Sequence, residues 1–191
     1  MDRRTLETAA AKYSYLRGLL FIPGGLLGVV AALGNAAVGP FRHDWVFVLA
    51  VAVLGVATLL INRYYNDNYG RLRPSSRQQA RATVLVVVAI AVMVGGSMLL
   101  NALDLAMNPI AVPFAIVMLL SYGFGVGLKT HHVIIWGALL VAGALPVWTG
   151  DDPSNTGLWL SGVAVMVCGV FDHRLFVRTF GPPELPAHAG A

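Results

Sequence analysis

Charged side chains are scarce in this sequence of 191 residues. Only 12% are Asp, Glu, Lys or Arg, whereas 57% are hydrophobic and the mean hydropathy is +0.72. Soluble domains carry about 25% charged residues, so a water-soluble surface cannot be built from this composition. The polar segments between the apolar runs are also short. They leave no room for a nucleotide-binding fold, a kinase domain or a DNA-binding module.

Cysteine is almost absent, and ionisable groups are missing from the middle of the apolar runs. Cys168 is the only cysteine, which excludes an internal disulfide, and we interpret it as a small packing residue. No Asp, Glu, Lys, Arg or His falls at the centre of a run between Arg17 and Arg174. Pumps and intramembrane proteases need such groups at depth, so these classes are disfavoured.

Long apolar runs are what the sequence does contain. Six of them have about 18 or more residues, enough for a helix to cross a hydrocarbon core of about 30 Å. They lack the period-two alternation of a membrane barrel. We therefore predict an all-α fold, a polytopic transmembrane bundle of six membrane-spanning helices in one domain, 1–180, followed by a disordered cytoplasmic tail, 181–191. The predicted helices are about 18–38, 45–62, 82–100, 109–128, 131–149 and 157–176.

The basic residues fall on one side of the membrane if the six helices alternate. Of 13 Lys and Arg, only Arg42 falls on the other side, together with acidic loop residues. The positive-inside rule then predicts a multi-pass protein of a bacterial inner (plasma) membrane with both termini in the cytoplasm. A cleaved signal peptide is a rival interpretation of the first run. The 17 residues before this run are long for the n-region of a signal peptide, and they contain the acidic residues Asp2 and Glu7.

The stretch NRYYNDNYGRLRPSSRQQAR, residues 62–81, gathers five arginines among three tyrosines. We predict that the second helix continues to Gly70 and that Ser76 and Gln79 form a capping box for the third. This basic turn is expected to face anionic lipid headgroups or, alternatively, to dock a cytoplasmic protein partner. The candidate contact residues are Arg63, Tyr65, Tyr69, Arg71, Arg73, Arg77 and Arg81.

Small residues and prolines suggest two further features. Glycine, alanine and serine at four-residue spacing, such as Gly24 with Gly28, predict close helix packing within one protomer or in a homo-oligomer. Paired helix breaks at Pro23 with Gly24 and at Pro113 are compatible with an alternative function, a carrier for a small uncharged or lipid-like solute. In that case these residues would line the path of the solute. The other small pairs are Gly123/Gly127, Ala138/Ala142 and Gly157/Ser161.

Titratable residues gather at the cytoplasmic ends of the predicted helices. His131 and His132 open the fifth helix, Asp172 and His173 close the sixth, and Asp67 falls on the same side. Such a group suits a divalent metal or acid–base chemistry, which makes a membrane-interface enzyme acting on lipid headgroups the third alternative. Adjacent histidines, however, are expected on different helix faces, and no recognised ligand spacing is present. The sequence therefore assigns no catalytic residue, metal or cofactor.

The motif RYYNDNYGRLRP, together with the closing GVFDHRLFVRTFGPP, resembles a group of small bacterial six-helix membrane proteins without an assigned activity. The resemblance implies the fold and no functional residue. The leading expectation is a non-catalytic membrane subunit, sensor or assembly partner that acts through its basic cytoplasmic face. A nucleic-acid partner is not expected, because the positive charge is explained by topology.

Overall fold

The computed structural model describes Tyr13 and residues 16–70, 76–125, 127–145 and 153–181. The regular structure in these residues is entirely helical, which confirms the all-α prediction, and each of the six apolar runs contains a helix. Short 3-10 turns precede the first and second helices, at Gly18–Phe21 and Gly39–Arg42. The helices are α1 Ile22–Asn35, α2 Asp44–Tyr69, α3 Ser76–Ala102, α4 Ala111–Gly125, α5 Thr130–Ala144 and α6 Pro153–Phe180.

The last three helices alternate in direction. The Asn108 side chain, just before α4, donates to the carbonyl of Pro153 at the start of α6. Tyr122, near the end of α4, donates to Asp172 in the last third of α6, so α4 and α6 run parallel. His132, at the start of α5, bonds the same Asp172, so α5 runs the opposite way.

The first three helices continue the same alternation. The Tyr65 side chain near the end of α2 bonds His173 near the end of α6, and also the backbone of Leu19 before α1. Ser97, near the end of α3, donates to the carbonyl of Pro109 before α4. One end of the bundle therefore collects the start of α1, the ends of α2, α4 and α6, and the start of α5.

We call this end the basic end. The basic residues whose side chains are described at this end are Arg17, Arg63, Lys129, Arg174 and Arg178, whereas Arg42, Asp44 and Asp104 lie at the opposite end.

Glycines bring the backbones of α1 and α6 into direct contact. A β-carbon on Gly25 would lie 2.6 Å from the carbonyl oxygen of Gly162, and one on Gly162 would lie 2.5 Å from that of Gly25. Gly18, in the 3-10 turn seven residues before Gly25, meets Gly169 in the same way, seven residues after Gly162 on α6. Gly28 approaches Gly162, but Gly24 has no atom within 4 Å of such a position, so the prediction that Gly24 packs within one protomer is wrong. Van der Waals contact at this approach holds the first helix to the last.

Four helical segments are long and apolar enough to cross a membrane by length and composition. By contrast, α4 and α5 have 15 residues each, which corresponds to about 22 Å of helix. The prediction that the second helix continues to Gly70 is confirmed, because α2 ends at Tyr69 and Gly70 has a φ of 81°. The four segments are Gly18–Asn35, Asp44–Tyr69, Ala82–Ala102 and Pro153–Phe180.

The outer faces of α2 and α3 carry exposed apolar side chains. On α2, Leu59 is 69% exposed and Val48 is 66% exposed, and on α3 Met98 is 67% exposed. Tyr65 is the one buried residue of α2, and α3 has none among the side chains described. These faces suit a hydrocarbon environment far better than water.

Both prolines lie near the start of a helix. Pro23 is the second residue of α1, at the change from a 3-10 turn to α-helix, and it is buried. Pro113 is the third residue of α4 and packs against Gly96 of α3. Neither residue interrupts a described helix, because the missing N–H of proline is tolerated in the first turn. Their role in lining a solute path stays a prediction.

Candidate functional site

A buried carboxylate at the basic end receives hydrogen bonds from two other helices. Asp172 is fully buried. The Tyr122 hydroxyl donates to its Oδ2 at 2.6 Å. The Nε2 atoms of His131 and His132 lie 2.9 and 2.7 Å from its Oδ1. Three side chains from α4 and α5 thus converge on one side chain of α6, a group we call the Asp172 cluster.

The local structure of the α4–α5 connection positions both histidines. Gly127 has a φ of 82°, a conformation that favours glycine and lets the chain reverse within a few residues. Lys129 then forms the N-cap of α5. Because the histidines occupy the first turn of α5, next to α6, both rings reach the same carboxylate. The expectation that adjacent histidines diverge onto different faces is therefore wrong here.

The tautomer of His132 follows from its backbone contact. The Lys129 N–H donates to Nδ1 of His132 at 3.2 Å, so Nδ1 carries no proton. Nε2 of the neutral ring is then the protonated nitrogen and donates to Asp172. His131 differs because 19% of its side chain is exposed, while that of His132 is fully buried. The cluster thus has a closed inner edge at His132 and an open edge at His131.

These donors are what allows a carboxylate to be buried at this depth. An isolated buried charge is strongly unfavourable, whereas charge-assisted hydrogen bonds offset much of its desolvation. Tyr122, His131 and His132 supply three such bonds. Removing a single donor leaves the buried charge less well compensated, which weakens the packing of the three helices.

Cys168 and Trp136 form the apolar side of the cluster. Cys168 lies one turn before Asp172 on α6, and its sulfur is 3.7 Å from Oδ2 of Asp172 and 3.5 Å from the Tyr122 hydroxyl. Cys168 and Trp136 are both buried in the core shared by α4, α5 and α6. The interpretation of Cys168 as a packing residue agrees with this position. Its contact with Asp172 was not foreseen.

The cluster has the donor types of a divalent metal site. One donor atom each from His131, His132 and Asp172 lies within 4.8 Å of the other two. Zinc bonds of about 2.0–2.1 Å at tetrahedral angles place donors about 3.3 Å apart, so the separations of 2.7 and 2.9 Å would have to open slightly.

The proton of His132 would also have to move for Nε2 to bind an ion. Nδ1 would then carry the proton, and the hydrogen bond from the Lys129 N–H would be lost. That bond is worth about 0.5–1.5 kcal/mol, against about 10–16 kcal/mol for zinc binding to structural sites. The ligand set therefore fits, with one local rearrangement.

A second polar group lies beside the first and ties the segment before α1 to α2 and α6. Leu19 N–H donates to the Tyr65 hydroxyl, and this hydroxyl is also hydrogen-bonded to Nδ1 of His173 at 2.9 Å. Arg17 donates to the Asn62 side chain at 2.8 Å, and its guanidinium lies 4.8 Å from the centre of the Tyr65 ring. The adjacent α6 residues Asp172 and His173 thus belong to two separate hydrogen-bonded groups, the Asp172 cluster and the group around Tyr65.

Tyr13 closes the C-terminal end of α2. Its hydroxyl donates to the Gly70 carbonyl at 2.7 Å and lies 3.2 Å from the backbone carbonyl oxygen of Tyr65. Burial raises the pKa of the Tyr13 hydroxyl, and the Arg17 charge only partly opposes this, so the group remains a donor. The ring packs against Phe176 and Phe180 of α6. The aromatic residues here are therefore an internal contact between helices.

The predicted contact residues of the basic turn separate into different environments. Tyr65 is fully buried, so its prediction as a lipid or partner contact is wrong, and Tyr69 packs on Phe176. Arg63 is exposed and pairs with Asp67 at 3.3 Å. Asp67 is therefore engaged outside the Asp172 cluster. Arg71 and Arg73 lie outside the described residues, as do the side chains of Arg77 and Arg81.

The sequence contained only a partial signal for the cluster. Cys168 and Asp172 have the four-residue spacing that places two side chains on one helix face, and the histidine pair was noted. Tyr122 was missed because nothing local distinguishes it from an interfacial tyrosine.

Comparison of the chain with known protein families, curated proteins and solved structures finds no match. The resemblance to small bacterial membrane proteins therefore stays an expectation, and the functional argument rests on geometry.

Proposed function

We propose that the chain is a six-span integral membrane protein of a bacterial inner membrane with both termini in the cytoplasm. Support comes from the alternating directions of all six helices, the exposed apolar faces of α2 and α3, and the gathering of basic residues at one end. Positive residues are retained on the cytoplasmic side of a membrane, so the basic end is assigned to that side.

The two short helices are included among the spans. The apolar sequence around α4 covers 109–128, about 20 residues and therefore long enough to cross. Asn108 and Lys129 mark its polar limits and lie at opposite ends of the bundle. Because α4 and α5 pack against α6 along much of their length, they are partly shielded from lipid and need less apolar surface of their own.

Within that architecture, we propose a non-catalytic membrane subunit or sensor that meets a protein partner at the basic end. The observation that carries the proposal is the contrast between the two kinds of exposed surface. The flanks expose apolar side chains, whereas the basic end exposes Arg63, Lys129, Arg174 and Arg178 on helices held together by buried polar groups. Such an end is a positively charged surface suited to an acidic partner.

Cysteine labelling tests the number of spans. Ala106→Cys and Thr130→Cys place exposed thiols before and after α4, while the native Cys168 is buried and unreactive in the folded chain. We expect a membrane-impermeant maleimide to label Ala106→Cys on intact cells and Thr130→Cys only after permeabilisation. Labelling of Thr130→Cys on intact cells, or under neither condition, would contradict a six-span topology.

Native mass spectrometry of the protein extracted with its own lipids tests the subunit role. We expect a stoichiometric second polypeptide with the unmodified chain, and its loss when Arg71, Arg73 and Arg77 are all replaced by Gln. Arg42→Gln removes a basic charge from the opposite end and should retain the partner. A bare chain in every sample, or a partner retained by the triple variant, would count against the proposal.

A further inference from the structure

We propose that His131, His132 and Asp172 form a binding site for one divalent transition-metal ion of the zinc type. The proposal goes beyond the membrane-subunit function and holds whatever the basic end assembles with. It rests on three donor atoms from two helices that already point at one another in the interior of the bundle.

Convergence on a single oxygen is the first argument. The Nε2 atoms of His131 and His132 are both hydrogen-bonded to Oδ1 of Asp172, while Oδ2 accepts a hydrogen bond from the Tyr122 hydroxyl at 2.6 Å. The carboxylate is thus oriented with one oxygen toward the two imidazoles and the other occupied. This is the arrangement in which a metal-binding carboxylate is positioned by an outer hydrogen-bond donor.

The chemistry of the donors is the second argument. Two imidazole nitrogens and one carboxylate oxygen suit zinc and its neighbours, whereas calcium and magnesium prefer all-oxygen sites. Three protein ligands leave a fourth position for water. His131 is the partly exposed ligand, with 19% of its side chain accessible, so the site is nearest to solvent at this residue.

The charge of the Asp172 cluster also favours a cation. The cluster places the Asp172 carboxylate, an anionic ligand, beside the neutral imidazole of His132 in a buried site, and this arrangement favours a cation. When Nε2 of His132 binds an ion, the proton of its neutral ring lies on Nδ1 in place of Nε2. For His132 this breaks the bond from the Lys129 N–H, so the segment between α4 and α5 differs between the free and loaded forms.

Isothermal titration of Zn²⁺ into the full-length, chelator-treated protein tests the proposal. We expect one ion per chain with a dissociation constant in the micromolar range or tighter. His131→Gln should weaken binding at least tenfold, because it removes the exposed ligand while its amide can still donate to Asp172. His43→Gln is the matched control, since His43 is exposed at the opposite end, and it should bind like the unmodified chain.

A second measurement keeps the test decisive if a variant folds poorly. Zinc should raise the thermal midpoint of the unmodified protein, followed by circular dichroism, and the same ion should leave that of folded His131→Gln unchanged. Absence of stoichiometric binding by the unmodified chain, or equal affinity of His131→Gln and the unmodified chain, would overturn the metal site. Neither result bears on the partner at the basic end, which is tested separately.

Discussion

The close approach of α1 and α6 makes a sharp prediction about two adjacent glycines. A β-carbon at Gly25 would lie 2.6 Å from the carbonyl oxygen of Gly162 and 2.8 Å from Cγ of Met166. At Gly24 the same atom would meet nothing within 4 Å. Gly25→Ala should therefore force the two helices apart, whereas Gly24→Ala should not.

The size of the effect follows from two opposing contributions. Overpacking a tight contact costs about 1–3 kcal/mol. Alanine also gains up to about 1 kcal/mol over glycine in a helix, and this gain applies to both variants. We therefore expect Gly24→Ala to be neutral or slightly stabilised, and Gly25→Ala to be less stable than Gly24→Ala by about 1–3 kcal/mol. For a chain of this size that difference corresponds to about 2–12 °C in the thermal midpoint.

The chain supplies its own probe for this measurement. Cys168 is the only cysteine, it is 1% exposed, and it lies on α6. A dye that fluoresces on reaction with a thiol will report when the buried sulfur becomes accessible on heating. Equal midpoints for the two variants, or a lower midpoint for Gly24→Ala, would refute the backbone contact.

Two further predictions concern buried polar groups. Asn108→Ala removes the side-chain oxygen that accepts the N–H groups of the first turn of α4, and should cost about 0.5–2 kcal/mol in the same thermal assay. Asn101→Ala, at an exposed position, should change stability by less than about 0.5 kcal/mol, and an equal loss would contradict the cap. Tyr65→Phe and His173→Leu should be non-additive by about 0.5–1.5 kcal/mol in a double-mutant cycle, because each removes one partner of the same bond, and strict additivity would argue against that bond.

The helices could be predicted from sequence because their signals are local. Apolar runs and the glycine at position 70 indicate helices and a helix end without knowledge of the fold. Which glycines would touch was not predictable, because Gly25 and Gly24 differ only in the face that α6 covers. A local pattern of small residues cannot identify a partner helix more than 100 residues away.

The Asp172 cluster was hidden for the same reason. Asp172 lies 50 residues after Tyr122 and 41 after His131, and each one alone resembles an ordinary residue at a helix end. Adjacent histidines would diverge onto different faces if α5 were an isolated helix, and this was the sequence-based prediction. It fails because the first turn of α5 lies against α6, where Asp172 is within reach of both rings.

The pairing of α1 with α6 also has a consequence for biosynthesis. The first helix ends at Asn35 and the last begins at Pro153, so about 120 residues must be synthesised between them. At a synthesis rate of about 5–20 residues per second, the face of α1 that contains Gly25 remains uncovered for roughly 6–24 s before α6 is made. Until then the nascent chain carries an uncovered strip of backbone on its first helix. The bundle is therefore complete only when its final helix has left the ribosome.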